Sequence, residues 1–387
     1  MRRAHLTPEH HAFRAEAKAF IAAEITPYYT RWEREGTVDR ALWRKAGAAG
    51  LLGLDVSRTW GGRGLTDLRY HFLLGTELVR AGVAGVGIAL HNDVVAPYLT
   101  ALTDTAQRRR WLPGFCAGEL LVAIAMSEPD CGSDLRAMRT TAVRDRSHYV
   151  LRGTKTFVSN GSHADLIVVA AVTDRARVPR GGGVSLFVVE GGTPGLRRGR
   201  PMRTLGSALT DVVEIGLDDV RVPADHLLGQ EGHGLGQLTG NLARERLSIA
   251  VAAVAGAEAV FADTLERRAA ARSGARHGGE DPQAARFVLA ELATELEVAR
   301  AYLDRCVLDQ VEGVHTVASG AVAAAQAKWW TTDLQRRVVD RCLELLAADG
   351  PDQDSRAARA CLDTRMMPIY GGTNEVMKEL VGRSLGR

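Results

Sequence analysis

The spacing of apolar positions changes twice along the chain. Over residues 7–118, Phe13, Ala17, Phe20 and Ile21 recur at helical intervals behind Thr7-Pro8-Glu9, where threonine can cap and proline suits the first helical position. Further helices are expected over 40–49, 67–81 and 105–117, with Trp60-Gly61-Gly62-Arg63-Gly64 as a glycine-rich connector. Over 119–230 the runs LLVAIAM, ADLIVVAAV, GVSLFVVE and DVVEIGLDDVRVP are rich in β-branched residues and bounded by turn formers, which predicts a sheet or barrel. Over 231–387 the pattern is helical again, with candidates at 242–272, 282–313, 317–346 and 354–365 and a polar break at 272–281. The expectation is an α+β chain in three parts: a helical domain at 1–118, a β domain at 119–230 and a four-helix bundle at 231–387.

Two polar stretches interrupt the β region, AMSEPDCGSD at 125–134 and GTKTFVSNG at 153–161. Each sets hydroxyls (Ser127, Ser133, Thr154, Ser159), turn formers and free backbone N–H groups where a strand is expected to end. That arrangement suits a flat polar heterocycle lying against a sheet, and Phe157 adds an aromatic face. Asp218-Asp219 reads as a turn, because neighbouring strand residues point to opposite faces. His91, inside the apolar stretch 83–102, reads as a packed histidine.

Composition narrows the classes. With 387 residues, 46% apolar and 25% charged, the chain is globular and long enough for two or three cores. A net charge of +3 gives no basis for nucleic-acid binding, and the run Arg108-Arg109-Arg110 reads as a solvated helix face. The five cysteines are scattered without metal-site or disulfide spacing, so no metal is expected and a reducing compartment is. No secretory signal is visible and no apolar run of ~20 residues stands out, so a soluble, cytoplasmic protein away from membranes is expected.

The two polar stretches, together with PIYGGTNEVMKEL at 368–380, resemble the acyl-CoA dehydrogenase family of FAD-dependent flavoproteins, closest to its long-chain branch. The resemblance covers nearly the whole chain and implies an architecture of helical, β and helical-bundle domains. It implies α,β-dehydrogenation of an acyl thioester to a trans-2-enoyl thioester, with a carboxylate removing the α-proton and the β-hydrogen passing to flavin. Met126, Ser127, Phe157 and Ser159 would lie against the isoalloxazine; Ser133 would touch cofactor and the pantetheine arm. Arg246, Gly371 and Gly372 would shape the substrate site, and Thr373 and Glu375 would meet the cofactor's phosphate or ribose region.

Many members of the family carry their base in a Y-E-G-T motif, but here the matching residues are Tyr370-Gly371-Gly372-Thr373. The other branch of the family uses a helix reading E-R-L, matched here by Glu245-Arg246-Leu247, so the resemblance assigns the base to Glu245, with Glu375 as the alternative. The positions 245 and 371 are expected to be interchangeable. Arginine neighbours would lower the pKa of Glu245 and burial would raise it.

Two motifs that grip the ADP half of FAD across a subunit interface are altered. Arg272 and Gln283 persist, whereas Glu344 and the following Leu345-Leu346-Ala347-Ala348-Asp349-Gly350-Pro351 replace a glutamine and two glycines. The resemblance further implies a homotetramer or homodimer and an electron-transfer flavoprotein as acceptor. Two alternatives remain open at this point: the same chemistry on an acyl group carried by an acyl carrier protein, and a binding protein of this fold without catalysis.

Overall fold

The computed structural model describes residues 6–206, 209–274, 282–346 and 355–386, without the side chains of 272–274. The first part packs α1 (Pro8–Glu24), α2 (Thr26–Glu35), α3 (Arg40–Ala48) and α4 (Leu68–Arg80) around Phe13, Ile21, Trp32, Trp43 and Leu74, while α5 (Ala96–Ala101) and α6 (Thr105–Ala117) set Tyr98, Leu99, Trp111 and Phe115 in one core with Val168 and Leu186 of the middle part. Helix α6 begins on a reciprocal cap between Asp104 and Gln107 and stops at Gly118, whose φ of 70° only glycine adopts freely.

The middle part is one mixed sheet with strands β1 (Val122–Ala125), β2 (Thr141–Asp145), β3 (His148–Ser159), β4 (Leu166–Val172), β5 (Val184–Glu190), β6 (Leu196–Arg198), β7 (Val212–Pro223) and β8 (Leu227–Leu228). Its order is β6-β7-β3-β2-β4-β5-β8, with β1 parallel to β4. Strand β4 is buried at every position, as a strand covered on both faces must be. The last part contains α7 (Gly234–Gly274), α8 (Gln283–Val311), α9 (Val317–Leu346), α10 (Arg356–Asp363) and α11 (Asn374–Leu385). Their shared core of Leu247, Val254, Leu296, Leu303 and Leu334 also takes in Phe72 of α4, so the terminal helical layers are joined.

Several expectations change. The stretch 153–161 is mostly strand interior: β3 runs to Ser159, bulged so that its register with β7 shifts between Lys155 and Val158. Asp218-Asp219 also lies within a strand; a bulge with Asp219 at φ 54° turns both carboxylates outward, to Arg197 and Arg152. The candidate over 354–365 is only the eight-residue α10, so the bundle rests on three long helices with two short ones. Strand β2, helix α11 and a π-helical turn over Leu90–Val95 were not among the expected elements. Helix α7 is long and apolar enough to cross a membrane; half of its most apolar window is buried inside the protein, where it forms the centre of the bundle. Most of the break at 272–281 and the altered turn at 347–351 lie outside the described residues.

Candidate active site

Helix α7 presents Asn241, Glu245 and Ile249 one turn apart on one face. Glu245 is only 4% exposed. Burial pushes its carboxyl up to about 7, against the hydrogen bond from Tyr98 and the neighbouring charges of Arg246 and Arg244. The competition left open by the sequence therefore goes to burial, and the geometry explains why. Neither guanidinium forms an ion pair with Glu245: Arg244 turns to Asp55 at 2.8 Å and to His71, and Arg246 donates to the Gly371 carbonyl at 3.3 Å. Tyr98 of α5, 0% exposed, donates its hydroxyl to Glu245 Oε1 at 3.1 Å.

The Gly371-Gly372 turn lies against the same helix. Its φ values are 67° and 93°, open to glycine and costly to other residues. A Cβ at 371 would come within 2.3 Å of Ile249 Cδ1, one turn beyond Glu245. A glutamate at 371 would thus need both a strained backbone and a displaced Ile249, so positions 245 and 371 are not interchangeable as they stand. The turn is held from below by Lys328, fully buried on α9, which donates to Gly372 O at 2.8 Å and Asn374 Oδ1 at 3.0 Å. Burial and then Arg246 bring that ammonium down to about 8. Thr373 caps α11 through Val376 N. Glu375 is fully exposed, and its own backbone N–H and then Thr373 hold its carboxyl below the usual range. An exposed, readily ionised carboxylate is a poor base for a weak carbon acid, so the geometry favours Glu245 over Glu375.

The two polar stretches meet on the sheet. Thr156 N donates to Ser127 O at 2.9 Å, and Lys155 Nζ reaches Met126 O at 3.1 Å and Glu128 Oε1 at 2.8 Å. Glu128 also accepts from Arg139 N and Thr140 N at 2.7 and 2.9 Å. Burial raises its carboxyl, but the bonds from Lys155 and the two amides outweigh that and keep it ionised. The bulge sets Phe157 at φ 55° with its ring 68% exposed, a conformation that costs a non-glycine residue ~1–2 kcal/mol. The hydroxyls of Ser127 and Ser159 have no partner among the described residues. An outward ring flanked by two free hydroxyls fits a planar heterocycle with hydrogen-bonding edges.

Ser133 is exposed on the loop after β1, and Gln283 is exposed at the first turn of α8. Glu344 lies near the end of α9 and pairs with Arg341 at 3.0 Å. Arg272 belongs to α7, with its side chain outside the described residues. His91 is packed as expected: it stacks on Phe115 at 3.9 Å, and burial lowers its pKa to about 3. Sequence reasoning missed Tyr98, Lys328, Asn374 and the Glu128–Lys155 pair. The lysine had a visible signal, a rare cation on an alanine-rich helix; Tyr98 had none. A cleft of about 540 Å³ opens elsewhere, beside Arg40, Arg110, Arg198, Asp165 and Glu190. Its charges are already matched, Arg40 to Asp165, Arg110 to Glu190 and Arg198 to backbone carbonyls, so it offers no comparable chemistry.

Comparison with known proteins identifies the family. The acyl-CoA dehydrogenase N-terminal, middle and C-terminal domain models match residues 7–119, 123–220 and 232–386. The chain belongs to the acyl-CoA dehydrogenase family of FAD-dependent oxidoreductases acting on CH–CH donors. It is 38% identical over 380 residues to the mitochondrial long-chain specific acyl-CoA dehydrogenase of Sus scrofa, covering 97% of this chain and 86% of that protein. It is similar to the crystal structure of an acyl-CoA dehydrogenase from Geobacillus kaustophilus, with a TM-score of 0.93, 39% identity and coverage of 99% and 100%. A glutaryl-CoA dehydrogenase from Mycobacterium smegmatis, solved in complex with FADH2, matches with a TM-score of 0.87, 25% identity and coverage of 99% and 96%.

Proposed function

We propose that this protein dehydrogenates an acyl-CoA between its α and β carbons, with Glu245 as the base that takes the α-proton. The observation that carries the assignment is a buried carboxylate, raised to about 7, on the helix face that also touches the Gly371-Gly372 turn. A carboxyl of that pKa is about half ionised at neutral pH and largely ionised in mildly alkaline solution, yet remains a stronger base than an exposed one. Bound FAD supplies the acceptor for the β-hydrogen and its electron pair. The chain's own residues do the rest: the breaking α-C–H bond leaves its pair on the substrate, the proton moves to Glu245, and the apolar wall of α7 and α5 keeps water away. Ser127, Ser159 and Phe157 would hold the flavin ring, Ser133 and Arg246 would border the thioester, and Arg272 and Gln283 would reach a cofactor shared between copies in a homo-oligomer. An electron-transfer flavoprotein is the proposed acceptor of the electrons.

The test is anaerobic mixing of the FAD-loaded protein with acyl thioesters of graded length, on CoA and on an acyl carrier protein. Bleaching by an acyl-CoA is expected, and Glu245→Gln should slow it ~10²–10⁴-fold with FAD content unchanged. Bleaching only by the carrier-protein thioesters would move the substrate class, and no bleaching by either would favour a non-catalytic binding protein.

A further inference from the structure

The residue that faces the base arrives by an irregular route. The π-helical turn Leu90–Val95 sets the register of α5 and is fixed on three sides. Asn92 accepts from Gly53 N at 2.9 Å and donates to Leu51 O at 2.8 Å. Asp93, fully buried, takes His71 of α4 at 3.0 Å on one oxygen and Ser248 of α7 at 2.5 Å on the other. This turn therefore bolts α5 to α7 within one helical turn of Glu245, and Tyr98 is the side chain it delivers. The Asn241 side chain, one turn before Glu245, is a second polar neighbour of the same hydroxyl and acts to lower its pKa, while the hydroxyl donates to Glu245 Oε1. Glu245 Oε2 accepts no hydrogen bond among the described residues and is not one of the sealed polar atoms.

We propose that Tyr98 is a positioning residue for proton abstraction: it holds Oε1 of Glu245 so that Oε2 is the free oxygen presented to the substrate. The inference rests on Glu245 being the base. The hydroxyl also stabilises the carboxylate over the acid, so it opposes the effect of burial. Other charged groups on the packed elements are engaged away from Glu245. Arg244 binds Asp55 and His71, Arg246 binds Gly371 O, Asp93 binds His71 and Ser248, and Lys328 of α9 binds Gly372 O. Farther along α7, Glu258 pairs with Arg80 of α4 and Arg300 of α8. Among the described residues, Tyr98 is thus the one neutral donor on the base.

The experiment follows the rate of anaerobic flavin bleaching against pH in the FAD-loaded parent, Glu245→Gln and Tyr98→Phe. Only the ionised carboxylate accepts a proton, so the rising limb of the parent's profile reports Glu245. Tyr98→Phe is expected to move that limb upward by about one pH unit, lowering the rate roughly tenfold on the acid side, with half-saturation by substrate little changed. A uniform loss of rate with the limb in place would make Tyr98 merely structural and overturn the proposal. If Tyr98→Phe does not fold, Asn241→Ala decides: it removes the neighbour that makes the hydroxyl a stronger donor, and the limb should again move up, whereas an unmoved limb overturns the idea. A parent bleached by no acyl thioester, or a Glu245→Gln variant bleached at the parent's rate, would remove the underlying reading and this inference with it.

Discussion

Glu245 shows how one residue can trade stability for chemistry. Its carboxyl has a pKa of about 7 in the folded protein, against 4.5 as the ordinary value. The folded state therefore binds the proton more tightly than the unfolded chain does. Stability is fully present below about pH 4.5 and is lost as the pH rises toward and through 7, by up to about 3 kcal/mol for a shift of this size. Glu245→Gln has no charge to bury. Its melting temperature relative to the parent, followed by thermal unfolding between pH 4.5 and 8, should rise with pH and level off above 7. A difference that stays constant across that range would mean that Glu245 ionises in the folded protein as freely as in water.

At the scale of elements, the two polar stretches proposed to hold the flavin depend on an ion pair that neither stretch could hold alone. Lys155, on β3, is 0% exposed, and its partner Glu128 gathers bonds from the loop before β2. Removing one member of a buried pair leaves the other charge uncompensated, so Lys155→Met should destabilise the protein by ~3–5 kcal/mol in urea unfolding. FAD should also be lost more readily on gel filtration, because Ser127 and Phe157 are held in register through this pair. Adding Glu128→Gln to Lys155→Met should restore part of the stability. A stable single variant that retains its FAD would show that backbone pairing alone keeps the register.

For the whole molecule, α8 carries a telling asymmetry. One face buries Leu292, Leu296, Leu303 and Val307 against α7 and α9, while Phe287 and Val298, three turns apart on another face, are 59% and 55% exposed. Two exposed apolar side chains on a long surface helix, set apart by Glu291, Thr294 and Glu295, would suit a contact between copies in the proposed homo-oligomer. Phe287→Glu should shift the sedimentation coefficient toward the monomer and weaken FAD retention, since Gln283 lies on the same helix one turn earlier. An unchanged coefficient would place the subunit contact elsewhere.

The sequence by itself determined the helical, β, helical order, the bounds of helices such as α6 and α9, and the identity of the candidate base. The order and the bounds are local, following from apolar periodicity and caps, whereas the candidate base followed from the resemblance of a contiguous motif to a known family. It misjudged 153–161 because glycine, asparagine and serine signal turns, while here they serve a strand bulge whose partner, β7, lies far along the chain. It gave no hint of Tyr98, since the π-helical turn that aims it is stabilised by Leu51, Gly53, His71 and Ser248, residues remote from it in sequence. Tertiary structure alone decided the ionisation of Glu245. In the sequence, two adjacent arginines stood against burial with the outcome open; α7 points the arginines elsewhere, and desolvation by the packed helices prevails.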